Sequence, residues 1–329
     1  MSEPSVALLG YGYWGKNLAR NLHEMGVLKP VCDPSGKARE RFQEQISSVA
    51  VEASMDNVLQ DPNLKAIVLA TPAETHFRLA AEAMRNGKDV FVEKPLALRA
   101  AEGVELCNLA RKLGRILMVG HLLEYHPAVE AMKSLIHKGE LGEVNYIYSN
   151  RLNFGKIRTE ENALWSFAPH DVAVILRLAG GLPESVQCSG GEFLSSGVAD
   201  VTLSSLRFRN NLRAHIFVSW LNPFKEQKLV VTGAERMAVF DDTSAEKLLL
   251  YDQRVDFEKD LPVLKKGGAN SIPLPDVEPL RAECEHFVSC IKQRKKPLTD
   301  GESGLRVLQV LEACQESLEN DGQRVFLNE

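Results

Sequence analysis

The 329-residue sequence has no excess of basic residues, no closely spaced cysteines and no long apolar run, and each absence excludes a class of function. Lys and Arg number 39 against 44 Asp and Glu, a net charge of −5. Nothing is left over to neutralise a nucleic-acid backbone or an anionic membrane surface. The six cysteines (Cys32, Cys107, Cys188, Cys284, Cys290 and Cys314) are scattered, with no pair at the spacing of a zinc site or a redox CxxC. Buried, reduced thiols and no bound metal are therefore expected. Runs such as Val172 to Leu176 are broken within a few positions, far short of the ~20 apolar residues a membrane span needs. Met1-Ser2-Glu3-Pro4-Ser5 lacks the basic start and apolar stretch of a secretory signal, so the expected compartment is the cytoplasm.

What is present is the composition of an ordinary globular protein, 44% hydrophobic and 25% charged, long enough for two domains. Up to residue 121, short runs that are apolar at almost every position alternate with helical stretches. The runs are Val6 to Leu9, Leu28 to Cys32, Ala66 to Ala70, Asp89 to Glu93 and Ile116 to Val119. Strands apolar on both faces, separated by helices, are what a covered parallel sheet requires. This half reads as a doubly wound α/β domain over residues 1–121. From residue 122 to 329 the texture changes. A helix around Val129 to Ile136 leads to a strand through Val144, Tyr146 and Tyr148, and several segments from Ser185 to about Tyr251 alternate in the manner of an antiparallel sheet with one wet face. Residues 262–275, rich in glycine, proline and lysine, read as a surface loop, and the last 50 residues as helices. The fold class is therefore α/β: a Rossmann domain followed by an α/β domain with a large, open, mainly antiparallel sheet.

Three clusters carry the chemistry. Gly10-Tyr11-Gly12-Tyr13-Trp14-Gly15 leaves the first strand and opens a helix in the pattern GxGxxG. In that setting the first glycine allows the tight turn, the second lets a pyrophosphate approach the backbone, and the third lets helix and strand pack closely. The helix N-terminus offers free N–H groups to the phosphates. Asp33 ends the second strand, where a carboxylate accepts ribose hydroxyls and repels a 2′-phosphate; with Pro34 rather than arginine after it, NAD is expected over NADP. Glu93-Lys94-Pro95 ends the fourth run, on the edge where such sheets bind ligands. A cationic nicotinamide beside Lys94 depresses its ammonium pKa and suits it to acid–base work. Finally, Trp165-Ser166-Phe167-Ala168-Pro169-His170-Asp171 precedes an apolar helical stretch. With Pro169 at the first helical position, His170 falls in the first turn, where the dipole keeps its imidazole neutral.

Together with Thr71, Pro72 and His76 after the Ala66 strand, and with Lys296-Pro297-Leu298-Thr299-Asp300-Gly301-Glu302-Ser303-Gly304, these elements resemble the Gfo/Idh/MocA oxidoreductases over essentially the whole chain. The resemblance implies hydride transfer between a sugar-type secondary alcohol and a nicotinamide. It also implies an open sheet serving as substrate platform and oligomer interface, and C-terminal helices packing back on the first domain. Lys94 matches the family's catalytic lysine and His170 its catalytic histidine, with His170 taken as the base and the reverse assignment left open. Thr71, Pro72 and His76 match positions bordering the cofactor, alongside Gly10, Gly12, Tyr13, Trp14, Gly15, Asp33 and Glu93. Many members place an aspartate four residues before the histidine; here that residue is Ser166. Gly12 to Leu18 and Asn162-Ala163-Leu164-Trp165 are similar to the branch acting on nucleotide sugars. That implies oxidation of the C3 hydroxyl of UDP-N-acetylglucosamine for a downstream aminotransferase that makes a 3-amino sugar, as in lipid A or O-antigen synthesis. Arg151, Lys156 and Arg158 are candidates for the UDP pyrophosphate and Trp165 for the substrate. A UDP-uronate, a free sugar or polyol, or a non-catalytic NAD-binding regulator remain alternatives, and a homo-dimer or homo-tetramer is expected.

Overall fold

The computed structural model describes residues 3–327, which form two compact units. One runs up to Leu122 and takes in Glu278–Leu308; the other comprises Leu123–Val277 and the chain from Gln309 onward. The last boundary, between Leu308 and Gln309, falls inside one helix.

In the first unit, strands β1 (Val6–Leu9), β2 (Leu28–Cys32), β3 (Ala50–Glu52), β4 (Ala66–Leu69), β5 (Asp89–Glu93) and β6 (Leu117–Gly120) form a sheet in the order β3-β2-β1-β4-β5-β6. Every neighbouring pair is parallel. Helices α1 (Gly15–Glu24), α2 (Gly36–Gln45), α3 (Met55–Gln60), α4 (His76–Arg85) and α5 (Ala100–Leu113) connect them. β1, β4 and β6 are buried at every position, as strands covered on both faces must be. α1 buries Gly15, Leu18, Ala19 and Leu22 on one face, the i, i+3, i+4, i+7 stripe that packs on the sheet. The half-exposed, three-residue β3 carries too little apolar pattern to be read from sequence.

In the second unit, α6 (Pro127–His137), β7 (Val144–Phe154) and α7 (Ala163–Ala179) precede β8 (Ser185–Gly191), β9 (Val201–Arg207), β10 (Arg213–Ser219), β11 (Leu221–Gly233), β12 (Met237–Asp241), β13 (Leu248–Glu258) and β14 (Leu261–Ser271). The chain continues through α8 (Pro279–Gln293), in the first unit, and α9 (Gly301–Glu319), which starts there and ends in the second, to β15 (Val325–Phe326). The sheet order is β14-β13-β12-β11-β7-β10-β9-β8-β15, antiparallel except for the β7–β10 pair. β14 corrects the expectation of a surface loop at 262–275. Lys259 and Asp260, both at positive φ, make the two-residue hairpin turn whose twist matches its strands, and β13 pairs with β14 from Glu258–Leu261 back to Leu249–Ser271. The strand is exposed along almost its whole length, so it lacks the apolar alternation by which a strand is recognised.

Candidate active site

The order of the parallel sheet reverses between β1 and β4, and the carboxyl ends of those strands mark the crevice where such sheets bind ligands. The glycine turn fills one side of it. Gly10 has φ +92°, and a Cβ there would lie 2.5 Å from the Ala70 carbonyl oxygen, so the two strand ends close on each other only over glycine. A Cβ at Gly15 would lie 2.1 Å from the Gly10 oxygen, which forces glycine where α1 starts. Gly12 differs: a Cβ there would meet nothing within 4 Å. Its glycine is not required by packing, and the open space beside it, facing the start of α1, fits a pyrophosphate at a helix N-terminus.

Asp33 follows β2 beside this turn. One carboxylate oxygen accepts from the Tyr11 amide at 2.8 Å and the other from the Ser35 amide at 2.8 Å, so the carboxylate is aimed by the backbone and keeps lone pairs for two hydroxyls. Arg39 is the nearby arginine that sequence order hides. Its guanidinium donates to the carbonyls of Asp33 (2.6 Å) and Pro34 (3.0 Å) and so supports the turn.

At the end of β5, Trp14 Nε1 donates to Glu93 Oε1 at 2.6 Å, tying the glycine turn to the strand that delivers Lys94. Gly120 on β6 makes room for that carboxyl, because a Cβ there would lie 2.8 Å from Glu93 Oε2. Burial pushes the Glu93 carboxyl up to about 7, against the opposing pull of Trp14 and the Lys94 charge. His121, which the sequence reading did not single out, follows β6 and is fully buried; burial, aided by the Lys94 charge, pushes its pKa down to about 3. The Lys94–Pro95 peptide is cis. His76 anchors it: Nδ1 lies 2.8 Å from the Pro95 carbonyl and Nε2 2.9 Å from that of Thr71. Burial lowers the His76 pKa, against the two carbonyl contacts, which favour the protonated ring. With 1% of its surface exposed, His76 holds the Lys94 loop from beneath, which corrects the expectation that it borders the cofactor itself. Thr71, whose hydroxyl meets that of Thr75 at 2.7 Å, and Pro72 stand at the end of β4, on the crevice. Tyr13, 86% exposed, and half-buried Trp14 complete the turn.

In the second unit the site residues gather on α7. This helix starts six residues earlier than Pro169 implies. Asn162 caps it by accepting from the Trp165 amide at 3.2 Å, and Pro169 lies inside it. His170 is thus the eighth helical residue, beyond the reach of the N-terminal dipole, which corrects the placement of His170 in the first turn. The continuous helix does set Ser166 one turn before His170 on the same face. Trp165 Nε1 and Asn162 Nδ2 both donate to Gln315 Oε1, at 3.1 and 2.9 Å, so the indole is held from its polar end.

Arg151 is not available for a pyrophosphate. β7 runs on to Phe154, and Ile147, Ser149 and Arg151 alternate onto the face that packs against α7. There Arg151 grips Asp171 with two bonds, Nε to Oδ2 at 2.7 Å and Nη2 to Oδ1 at 3.1 Å, while the Ser149 hydroxyl donates to Oδ1 at 2.6 Å. Burial works against the Arg151 charge, but the Asp171 carboxylate outweighs it and raises the guanidinium pKa. Asp171, unremarked in the sequence beyond following His170, fixes the helix to the sheet at that point. Lys156 and Arg158 lie past the end of β7; Arg158 pairs with Glu161 at 3.0 Å and stays 41% exposed.

Comparison with known proteins gives this arrangement a family. Residues 5–121 match the oxidoreductase family with an NAD-binding Rossmann fold, Gfo/Idh/MocA, and residues 129–239 match the Gfo/Idh/MocA C-terminal domain. The UDP-N-acetylglucosamine 3-dehydrogenase of Acidithiobacillus ferrooxidans is 26% identical over 94% of this chain and 95% of its own. A solved structure of that enzyme superposes with a TM-score of 0.85, at 23% identity, over 97% of this chain and 99% of the other. The 2,7-anhydro-N-acetylneuraminate hydratase of Mediterraneibacter gnavus is 26% identical over 77% of this chain and 71% of its own. The fold is also that of the WlbA dehydrogenase from Bordetella pertussis, solved with NADH and UDP-GlcNAcA: TM-score 0.81, 20% identity, both chains covered in full. With both domains matched in order, the chain belongs to the Gfo/Idh/MocA family of oxidoreductases, and its residues 5–121 are that family's NAD-binding Rossmann domain.

Proposed function

We propose that the protein is an NAD-dependent dehydrogenase that oxidises the C3 hydroxyl of UDP-N-acetylglucosamine to the 3-keto sugar. The observation that carries this reading is the delivery of Lys94 by β5 to the dinucleotide edge, fixed there by the Trp14–Glu93 bond and by His76. Likeness to the Acidithiobacillus 3-dehydrogenase along nearly the entire chain supports the choice of substrate.

When bound, NAD supplies the hydride acceptor. The chain's own residues do the rest. The amides at the start of α1 and the open space at Gly12 receive the pyrophosphate, and Asp33 accepts from the ribose hydroxyls. Lys94 orients the alcohol oxygen and stabilises the negative charge that develops on it as the proton leaves. His170 takes that proton, and Asp171, gripped by Arg151, sets the helical position from which it does so. Lys156 and Arg158 are the cations for the UDP pyrophosphate. The 3-keto product is an electrophile suited to a downstream aminotransferase. Exposed apolar side chains on β13 and β14, Phe257, Leu261 and Leu264 among them, support assembly into a homo-oligomer.

The hydratase relative favours a second reading, in which a bound sugar acid rather than a UDP sugar is processed with no net NADH release. Incubating the protein with NAD and a panel of UDP sugars, while following NADH absorbance, separates the two. NADH formation with UDP-N-acetylglucosamine, abolished in Lys94→Met with NAD affinity intact, is the expected result. Silence with every UDP sugar, or an active Lys94→Met, refutes the proposal.

A further inference from the structure

The opposite edge of the parallel sheet, where β5 and β6 begin, carries a second cavity of about 530 Å³, a size ordinary for small-molecule sites. It lies wholly in the first unit, between the end of α5, the turn that follows α8 and the start of α9. The dinucleotide crevice is at the far ends of the same strands.

Its charges do not cancel. Each carboxylate in its wall already has a cation: Glu302 takes Arg111 at 2.6 Å and Asp300 takes Lys296 at 2.6 Å. Asp89, buried at the start of β5, takes Arg294 through two bonds of 2.5 and 3.2 Å. Among the described residues, two cations of the wall then remain without a carboxylate. Arg115 is half-buried in the wall, and its guanidinium donates to two carbonyl oxygens, those of Gly87 at 2.7 Å and Leu113 at 3.2 Å. These bonds hold the group in place without neutralising it, and leave it further N–H donors. Lys295 lines the same cavity, is exposed and has no ion-pair partner among the described residues. In a chain of net charge −5, two unneutralised cations around one concavity are a local excess that composition does not supply. The start of the 19-residue α9, at Gly301, forms part of the same wall, and the Asp300 carboxylate caps it by accepting from the Ser303 amide at 2.9 Å, so the excess charge rests with the two cations.

We propose that this cavity is a second anion site of the protein, taking a phosphate dianion, free or as a small phosphate monoester, with Arg115 and Lys295 as its charged ligands. It is independent of the dehydrogenase reading, because none of its residues lies at the dinucleotide edge.

The test is calorimetric titration of the full-length protein, saturated with NAD so that the first anion site is filled. The probes are inorganic phosphate and glycerol 3-phosphate, with glycerol and chloride as controls at matched ionic strength. The expected result is saturable binding of at least one phosphate probe, with the two arms telling the free ion from the ester. Arg115→Ala/Lys295→Ala then weakens that binding at least tenfold while NAD affinity and Tm stay at wild-type values. Should the double variant fail to fold, Lys295→Glu, at an exposed position, serves alone and weakens binding at least fivefold. No saturable binding to the wild type, or equal affinity in wild type and folded variant, overturns the proposal.

Discussion

Glu93 shows how a single side chain is set by its surroundings. It ends a buried strand, shares a 2.6 Å bond with Trp14, and burial raises its pKa from 4.5 to about 7. A carboxyl raised in this way binds more protons folded than unfolded between those two values, so its contribution to stability is present below pH 4.5 and is lost as pH rises to about 7. His121, lowered to about 3, acts in the opposite sense: its contribution is present above pH 6.5 and is lost as pH falls toward 3. Comparing Glu93→Gln with wild type isolates the first effect. In urea denaturation at stepped pH, the variant's stability relative to wild type is expected to improve steadily from pH 4.5 to 7; a constant difference contradicts the assignment. Arg151 gives a second prediction at this scale. Arg151→Met leaves the Asp171 carboxylate buried and unpaired, at a cost of about 3–5 kcal/mol, read as a drop in urea midpoint. A loss within ~0.5 kcal/mol would show that the pair is not structural. The sequence reading placed Arg151 with the substrate because the order of residues names a charge but not its partner. Asp171 lies on another element, and only the observed length of β7 reveals which face Arg151 takes.

Among the elements, the glycine turn was the most legible, because its chemistry is local. Strand, turn and helix follow one another within ten residues, and the demands on Gly10 and Gly15 come from neighbours close in sequence or at the adjoining strand end. The turn also separates folding from binding. Gly15→Ala places a methyl group 2.1 Å from a backbone oxygen and should cost stability by several kcal/mol. Gly12→Ala meets no protein atom, so its Tm should match wild type while its affinity for NAD falls at least tenfold. Thermal melts with fluorescence titration of NAD check both, and a Gly12→Ala protein that binds NAD normally removes the pyrophosphate from this turn. α7 and β14 were less legible. Pro169 is a common first helical residue, so it masked a helix already capped at Asn162, and the exposed β14 owes its existence to pairing with β13 through a tight turn.

Over the whole molecule, the parallel sheet could be read because β1, β4 and β6 are buried at every position, and β5 at all but its last, and so announce themselves in the sequence. Unit membership at the C-terminal end could not be assigned residue by residue. α9 runs without a break from the first unit into the second, and the amphipathic pattern of a helix does not record which core it faces. Two matched family domains in order establish an oxidoreductase, and the remaining question is which bond it breaks. UDP-N-acetylglucosamine deuterated at sugar C3 asks this directly, with the nicotinamide product analysed by mass spectrometry after incubation with the protein and NAD. The account predicts reduced nicotinamide carrying one deuterium and a sugar that has lost it. Reduced nicotinamide without deuterium, or a sugar that keeps its label, would contradict hydride transfer from C3.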